Sequence, residues 1–146
     1  MRTLIRNGSV VTPQGVSTMD VLVDGETISA LLTSGAASDE LAGKVDRVID
    51  AAGKYVIPGG IDAHTHMELP FGGTFASDTF ETGTRAAAWG GTTTIIDFAV
   101  QRYGERVQDG LAAWHAKADG NCLIDYGFNQ IIGGVDDDSL KAMDEL

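Results

Sequence analysis

The sequence predicts an α/β protein in two parts, a small all-β domain followed by alternating strands and helices that form a parallel sheet. The first 57 residues contain short segments rich in β-branched residues and separated by turn dipeptides, a pattern typical of a small β-domain. From Pro58 onward, three strand-like segments alternate with three helix-like segments, which indicates successive right-handed βαβ units. Many of the 19 glycines stand in pairs and mark turns between these elements.

Composition narrows the class of protein. The 146 residues are 43% hydrophobic and 21% charged, a balance typical of a folded globular chain. A formal net charge of −11 repels phosphate backbones and anionic lipids, so we expect neither nucleic-acid nor membrane-surface binding. The single cysteine, Cys122, excludes a disulfide framework within one chain. With no apolar run of ~18 residues and no secretory signal, we expect a cytoplasmic protein.

In the all-β part, the dipeptides Asn7-Gly8 and Asp24-Gly25 predict hairpin turns. The Ser/Ala/Gly-rich segment 33–43 is expected to be a surface loop with at most one helical turn. The strands are predicted at 3–6, 9–12, 20–23, 27–32, 47–50 and 55–57.

In the second part, Asp78 is expected to cap a helix, with Glu81 in capping-box position and Gly90-Gly91 at its end. The apolar face of this helix is predicted to consist of Phe80, Thr84, Ala87 and Ala88. Further helices are predicted at 105–118 and 136–146, and strands at 60–64, 92–98 and 122–128. This order fits either a doubly wound sheet or the first three units of a barrel, which takes ~250 residues when complete.

The sharpest chemical feature is the pair His64 and His66 at the carboxyl end of the first strand of this sheet. Residues i and i+2 of a strand point to the same face, so both imidazoles are aimed at the end where barrel enzymes hold their active sites. Imidazole nitrogens suit zinc, iron and nickel. Asp62 has the same parity and is expected to orient one imidazole from behind.

The pair alone is a weak signal, because two such histidines also occur as ordinary turn residues. A catalytic zinc usually has three protein ligands, so His64 and His66 would supply only part of the ligands of a metal site. Asp97, at the end of the second strand, either reaches this site or satisfies backbone amides in a loop. His115 is expected to have a structural role in its helix, and Cys122 to be a buried structural thiol.

Segments 58–74, 78–88 and 90–98 closely resemble the metal-binding opening of the dihydropyrimidinase/D-hydantoinase branch of the amidohydrolase superfamily. The resemblance extends over the whole chain. Dihydroorotases, a neighbouring branch, carry an arginine for the substrate carboxylate where this sequence has Glu68. Allantoinases usually have an asparagine there. Both branches therefore fit less well.

The resemblance implies a fold in two pieces. Residues 1–57 are expected to be the N-terminal part of a small β-sandwich domain, and residues 58–146 the first three βα units of an incomplete (β/α)8 TIM-like barrel. Members of the branch are several-fold longer. We therefore expect these residues to come from a longer chain, or to be unstable and sticky alone, because a severed sheet exposes edge strands and apolar faces.

The resemblance also implies the chemistry. His64 and His66 would bind the more buried of two divalent metals, most often Zn²⁺, bridged by a carboxylated lysine absent from this chain. That lysine, two later histidines and a proton-shuttling aspartate would lie beyond Leu146, since Lys141 sits in a helix. An activated water would open a dihydropyrimidine or hydantoin ring to an N-carbamoyl amino acid. Leu69 and Phe71 would form part of the apolar substrate pocket, and the complete enzyme would be a homotetramer.

A second interpretation is a non-catalytic relative or fragment that acts as an assembly or binding module. The collapsin response mediator proteins share the fold without chemistry, but they lack the metal histidines. The presence of His64 and His66 favours the enzyme.

Overall fold

A computed structural model describes residues 1–145. Within it the chain forms two compact units, Met1–Pro58 and a second unit that begins at Gly59. No helix of the described part is long and apolar enough to cross a membrane.

The first unit is one sheet with a short helix. Its elements are β1 (Arg2–Thr12), β2 (Gly15–Asp24), β3 (Thr27–Thr33), α1 (Ala36–Ala42), β4 (Arg47–Asp50) and β5 (Tyr55–Val56). The strand order is β3-β2-β1-β4, and β5 also pairs with β1. The pairs β1–β2 and β2–β3 are antiparallel, whereas β4 and β5 run parallel to β1. Leu4, Val10, Val21 and Leu22 are buried in this unit.

The hairpin predicted at Asn7-Gly8 is wrong, whereas the one predicted at Asp24-Gly25 is confirmed. The strand β1 runs through Asn7 and Gly8 with a β-bulge between Ile5 and Gly8. Asn7 takes the left-handed conformation, with φ of 62°, which asparagine tolerates better than most residues. Its backbone N–H donates to Asp20 Oδ1 (2.9 Å), so a side chain of the neighbouring strand satisfies the bulge.

The segment expected as a loop contains α1, which is longer than one helical turn. Ser34 and Ser38, before and within this helix, donate hydrogen bonds to the carboxylate of Asp20. Asp20 is fully buried on β2. The sequence pattern did not predict this helix, because a buried partner from another strand holds it in place.

The second unit is a parallel sheet with its helices. Its elements are β6 (Gly60–Thr65), β7 (Pro70–Phe71), β8 (Thr74–Phe75), α2 (Phe80–Gly90), β9 (Thr92–Val100), α3 (Val107–Ala118), β10 (Asp125–Ile131) and α4 (Asp137–Glu145). The strands β6, β9 and β10 are parallel and adjacent in chain order. The α/β class is therefore confirmed, and the strand order shows no reversal among the described strands, as in the opening of a barrel.

The core of the second unit lies between the sheet and its helices. Buried and half-buried positions alternate in the second half of β9, where Ile95, Asp97 and Ala99 are buried. The core cluster consists of Phe80, Ile95, Ala99, Trp114 and Ala118. This alternation separates a covered face of β9 from the opposite face, which carries Phe98.

Several element ends differ from the predictions. The N-cap of α2 is Thr79, with Thr82 as capping-box partner, rather than Asp78 with Glu81. Ala88 is exposed and so does not belong to the buried face. The strand β10 begins at Asp125, three residues later than predicted. Cys122 therefore lies before the strand, half-buried against the core cluster.

Candidate metal centre

The two histidines of the predicted pair lie at the carboxyl end of β6. His64 is within the strand and His66 follows its last residue, Thr65. Both side chains are exposed. Their Nε2 atoms are 3.2 Å apart, and the ring planes are nearly perpendicular, at 82°. The strand therefore brings two imidazole nitrogens to one point.

This separation fits two ligands of one metal ion. Zinc–nitrogen bonds of 2.0–2.1 Å at a tetrahedral angle place two ligand nitrogens about 3.3 Å apart. The same 3.2 Å also lets one ring donate a hydrogen bond to the other, according to the tautomer. Within residues 1–145, no group of three or more His, Cys, Asp or Glu side chains is arranged to hold a metal. The described residues thus contain two candidate ligands, His64 and His66.

Phe98 packs against both imidazoles. Its ring centroid is 4.3 Å from that of His64 and 5.3 Å from that of His66. The sequence did not predict Phe98 as part of the site, although its place beside Asp97, near the end of β9, was a usable signal. An apolar ring in contact with two imidazoles limits their rotation.

Asp97 is buried on the opposite face of β9, with 1% of its surface exposed. Its Oδ2 accepts from Thr65 Oγ1 (2.9 Å) and from the backbone N–H of Met67 (2.7 Å). Its Oδ1 accepts from the backbone N–H of Phe98 (2.8 Å) and from Trp114 Nε1 (3.0 Å). Of the two roles left open by the sequence, these contacts match the second, in which the carboxylate satisfies backbone amides.

Asp62 is exposed, and its Oδ1 accepts from the backbone N–H of His64 at 3.2 Å. The hydrogen bond is thus made to the backbone of the histidine and not to its ring. A role for Asp62 in orienting an imidazole stays a prediction.

The residues after the histidines form a short hairpin, β7–β8. Gly72 and Gly73 make its turn with positive φ angles of 61° and 82°, which glycine adopts without steric cost. Leu69 packs against the core cluster, whereas Phe71 is 80% exposed. The second exposed aromatic residue of this hairpin, Phe75, was not predicted.

Glu68 lies between the histidines and the hairpin. It takes a left-handed conformation, with φ of 52°, and its Oε1 accepts from the backbone N–H of Phe80, at 3.3 Å. Phe80 is the first residue of α2, and a negative side chain is favourable at this positive end of the helix. The carboxylate of Glu68 is therefore held at the start of α2.

His115 lies on α3, in contact with different partners. Its Nδ1 is 3.2 Å from Asp119 Oδ1, and its ring packs edge-on against Phe128. The hydroxyl of Tyr126 also donates to Asp119, which raises the pKa of Tyr126 to about 12.

Burial and nearby carboxylates raise the pKa of the Cys122 thiol, so this cysteine is a poor nucleophile.

A sequence model described as "Amidohydrolase family" matches residues 47–130. This range includes β6, the histidine pair and β9. The chain belongs to the amidohydrolase family.

Curated relatives in this family agree on one branch. The chain is 59% identical to a D-hydantoinase of Streptomyces coelicolor over 99% of its own length and 31% of that protein. It is 43% identical to a dihydropyrimidinase of Rattus norvegicus over 88% of the chain and 24% of that protein. The resemblance to the dihydropyrimidinase/D-hydantoinase branch is confirmed, and the chain spans less than a third of the length of these relatives.

Solved structures of a dihydropyrimidinase and a D-hydantoinase also match the chain. A dihydropyrimidinase from Brevibacillus agri matches with a TM-score of 0.88 and 47% identity, over 98% of this chain and 30% of that one. A D-hydantoinase matches with a TM-score of 0.90 and 41% identity over 99% of this chain. An atrazine chlorohydrolase from Arthrobacter aurescens, solved with zinc, matches with a TM-score of 0.61 at 22% identity, which supports the fold alone.

Proposed function

We propose that the protein to which these residues belong hydrolyses a cyclic amide, a dihydropyrimidine or hydantoin ring, with a divalent metal held in part by His64 and His66. The observation that carries the proposal is the 3.2 Å separation of the two Nε2 atoms in an amidohydrolase chain. The names of the relatives, D-hydantoinase and dihydropyrimidinase, supply the substrate class.

The reaction breaks the ring carbon–nitrogen bond of the amide. The oxygen of a water molecule joins the carbonyl carbon, its proton goes to the departing ring nitrogen, and the product is an N-carbamoyl amino acid. A metal would polarise the carbonyl and lower the pKa of the attacking water. His64 and His66 would hold it through neutral Nε2 atoms, while Phe98 restricts the imidazoles.

The residues after the histidines would act on the substrate. We propose that Leu69 and Phe71 form part of an apolar pocket for the substituent of the ring. Phe71 is free to do so because it is exposed at the tip of the β7–β8 hairpin. Glu68 adds negative charge close to this hairpin, which disfavours a ring that carries its own carboxylate and favours a neutral ring.

Further details of the proposal rest on the family resemblance. The complete enzyme would hold two metals, most often Zn²⁺, with a bridging carboxylated lysine and a proton-shuttling aspartate outside these 146 residues. It would be a homotetramer in the cytoplasm and act in pyrimidine catabolism. The fragmentary donor set of residues 1–145 is consistent with ligands supplied by other parts of a longer protein.

The test is His64→Ala in the full-length protein, with His115→Ala as matched control. We expect His64→Ala to lose bound metal and, with it, turnover of dihydrouracil and hydantoin. The control removes the third histidine, which contacts Asp119 and Phe128, and is expected to keep both. Metal is measured by elemental analysis of the purified proteins. Undiminished metal content and turnover in His64→Ala would refute the proposal and favour an assembly or binding module.

A further inference from the structure

We infer that Asp97 is a positioning residue for the histidine pair. It fixes the backbone on both sides of His66 and, through its neighbour Phe98, the orientation of both imidazole rings. The inference rests on the proposed metal-binding function and adds a residue that touches neither metal nor substrate.

The carboxylate clamps the segment that carries His66. Its Oδ2 accepts from Thr65 Oγ1 and from the backbone N–H of Met67, at 2.9 Å and 2.7 Å. These two residues directly precede and follow His66. One oxygen atom thus holds the chain on either side of the imidazole, at the point where β6 ends and ladder hydrogen bonds cease.

The second oxygen of Asp97, Oδ1, joins this segment to the rest of the second unit. Oδ1 accepts from the backbone N–H of Phe98 on β9 and from the indole Nε1 of Trp114 on α3. Trp114 is 5% exposed and belongs to the core cluster. The hydrogen bonds of Asp97 therefore connect the backbone around His66 to the core of the second unit.

These four hydrogen bonds require a carboxylate at position 97. Four donors converge on the side chain, and an ionised aspartate accepts with both oxygens. Asparagine has the same shape, but its NH₂ group would face two of these donors. At least one buried donor would then stay unpaired, because only the hydroxyl of Thr65 can rotate to accept.

Phe98 contacts the same histidines from the other face of the sheet. Neighbouring residues of a strand point to opposite faces, so the ring of Phe98 lies where the carboxylate of Asp97 does not. Its centroid is 4.3 Å from His64 and 5.3 Å from His66. Asp97 thus restrains the backbone around His66 from the covered face of the sheet, and Phe98 restrains the two imidazole rings from the open face. Metal ligands need positions accurate to about 0.5 Å, which such two-sided contact supplies.

A purely structural role is the competing explanation, and the chain offers a matched control for it. Asp20 is also a fully buried aspartate, and it accepts hydrogen bonds from Asn7, Ser34 and Ser38 in the first unit. Asp20→Asn therefore causes a similar loss of buried hydrogen bonds in a unit without the histidine pair. Only a positioning role predicts that Asp97→Asn changes metal binding and Asp20→Asn does not.

The experiment uses the full-length protein, stripped of metal and titrated with Co²⁺ against a competing chelator. We expect Asp97→Asn to weaken Co²⁺ binding roughly tenfold or more, as loss of partners behind the ligands does in other metal sites. We also expect its visible Co²⁺ absorption to shift, because the imidazoles no longer meet at a fixed distance. Asp20→Asn is expected to lower the unfolding temperature of the metal-free protein and to keep the affinity and spectrum of the wild type.

Phe98→Leu is the variant to titrate with Co²⁺ if Asp97→Asn does not fold. It keeps an apolar side chain and removes the ring that contacts both imidazoles, so we expect weaker Co²⁺ binding with an altered spectrum. Wild-type affinity and spectrum in Asp97→Asn, or in Phe98→Leu where only that variant folds, would overturn the inference alone. A wild-type protein that binds no Co²⁺, or an unaffected His64→Ala variant, would overturn the proposed function and this inference with it.

Discussion

Two buried aspartates, one in each unit, show how a charged side chain is kept away from water. Asp97 accepts four hydrogen bonds. Asp20 accepts three and forms an ion pair with Arg6, Nε to Oδ2, at 3.6 Å. A buried carboxylate without such partners would be strongly unfavourable. Each aspartate therefore fixes the segments that supply its donors, and its loss exposes those donors as unpaired groups.

The pH dependence of stability tests the network of Asp20. Burial opposes its charged form, but hydrogen bonds from Ser38, Asn7 and Ser34, together with Arg6, outweigh burial and lower the pKa. Because the folded-state pKa lies below the unfolded value, the charge stabilises the fold above about pH 4, and this stability is lost as the pH falls through the folded pKa.

We expect Asp20→Asn to lower the free energy of unfolding by about 1–3 kcal/mol at pH 7. The gap between variant and wild type should narrow as the pH falls from about 4 toward 2, since the wild-type carboxylate then becomes neutral. Urea unfolding of both proteins at several pH values measures this gap. A gap that is constant with pH would show that the charge of Asp20 does not stabilise the fold.

At the scale of single residues, the sequence was sufficient for the histidine pair and insufficient for what holds it. Strand parity places His64 and His66 on one face from spacing alone. The partners of Asp97 are 30 residues back at Met67 and 17 residues on at Trp114. No local pattern encodes such pairings, because they depend on how strands and helices pack.

Element boundaries show the same limit at a larger scale. Asn7-Gly8 and Asp24-Gly25 are similar turn dipeptides, but the first forms a bulge within β1 and the second a hairpin turn. The difference arises because Asp20, from the neighbouring strand, accepts the N–H of Asn7. The existence and type of the longer elements followed from periodicity, whereas their ends depend on contacts with other elements.

The start of α2 gives a prediction at this scale. The side chain of Thr79 accepts from the backbone N–H of Thr82, and the Thr82 hydroxyl accepts from that of Thr79. We expect Thr79→Ala to destabilise the protein by about 1 kcal/mol, the typical loss of an N-cap. Thr79→Ser keeps the hydroxyl and is expected to lose much less.

Asp78→Ala provides the comparison for this cap, because Asp78 contacts only the hydroxyl of Thr82 among these groups, at 3.1 Å. We expect a smaller loss than for Thr79→Ala, within the range of ordinary surface changes, about 0.5 kcal/mol. Urea midpoints of the three variants rank the residues. A larger loss for Asp78→Ala would reassign the cap to the residue that the sequence favoured.

The whole molecule combines a large negative charge with exposed apolar side chains. The net charge is −11, which keeps copies apart through repulsion. Large hydrophobic residues are exposed in both units, including Ile28 on the edge strand β3 and Ile61 on β6. The α/β class and the order of the longer strands and helices of the second unit were predictable because alternation and periodicity are local. Exposure of these particular residues was not, since it depends on which surfaces remain uncovered.

These two opposing features predict how the isolated 146-residue polypeptide associates. At 0.1 M salt charges act over about 10 Å, and at 1 M over about 3 Å, so added salt removes the repulsion and leaves the apolar attraction. We expect association, measured by light scattering, to increase with ionic strength. The double variant Ile28→Thr/Ile61→Thr keeps β-branched side chains and the net charge, and is expected to associate less at every salt concentration. Association that decreases with salt would mean that contacts between unlike charges join the copies, and an unchanged double variant would exclude these apolar positions as the contact surface.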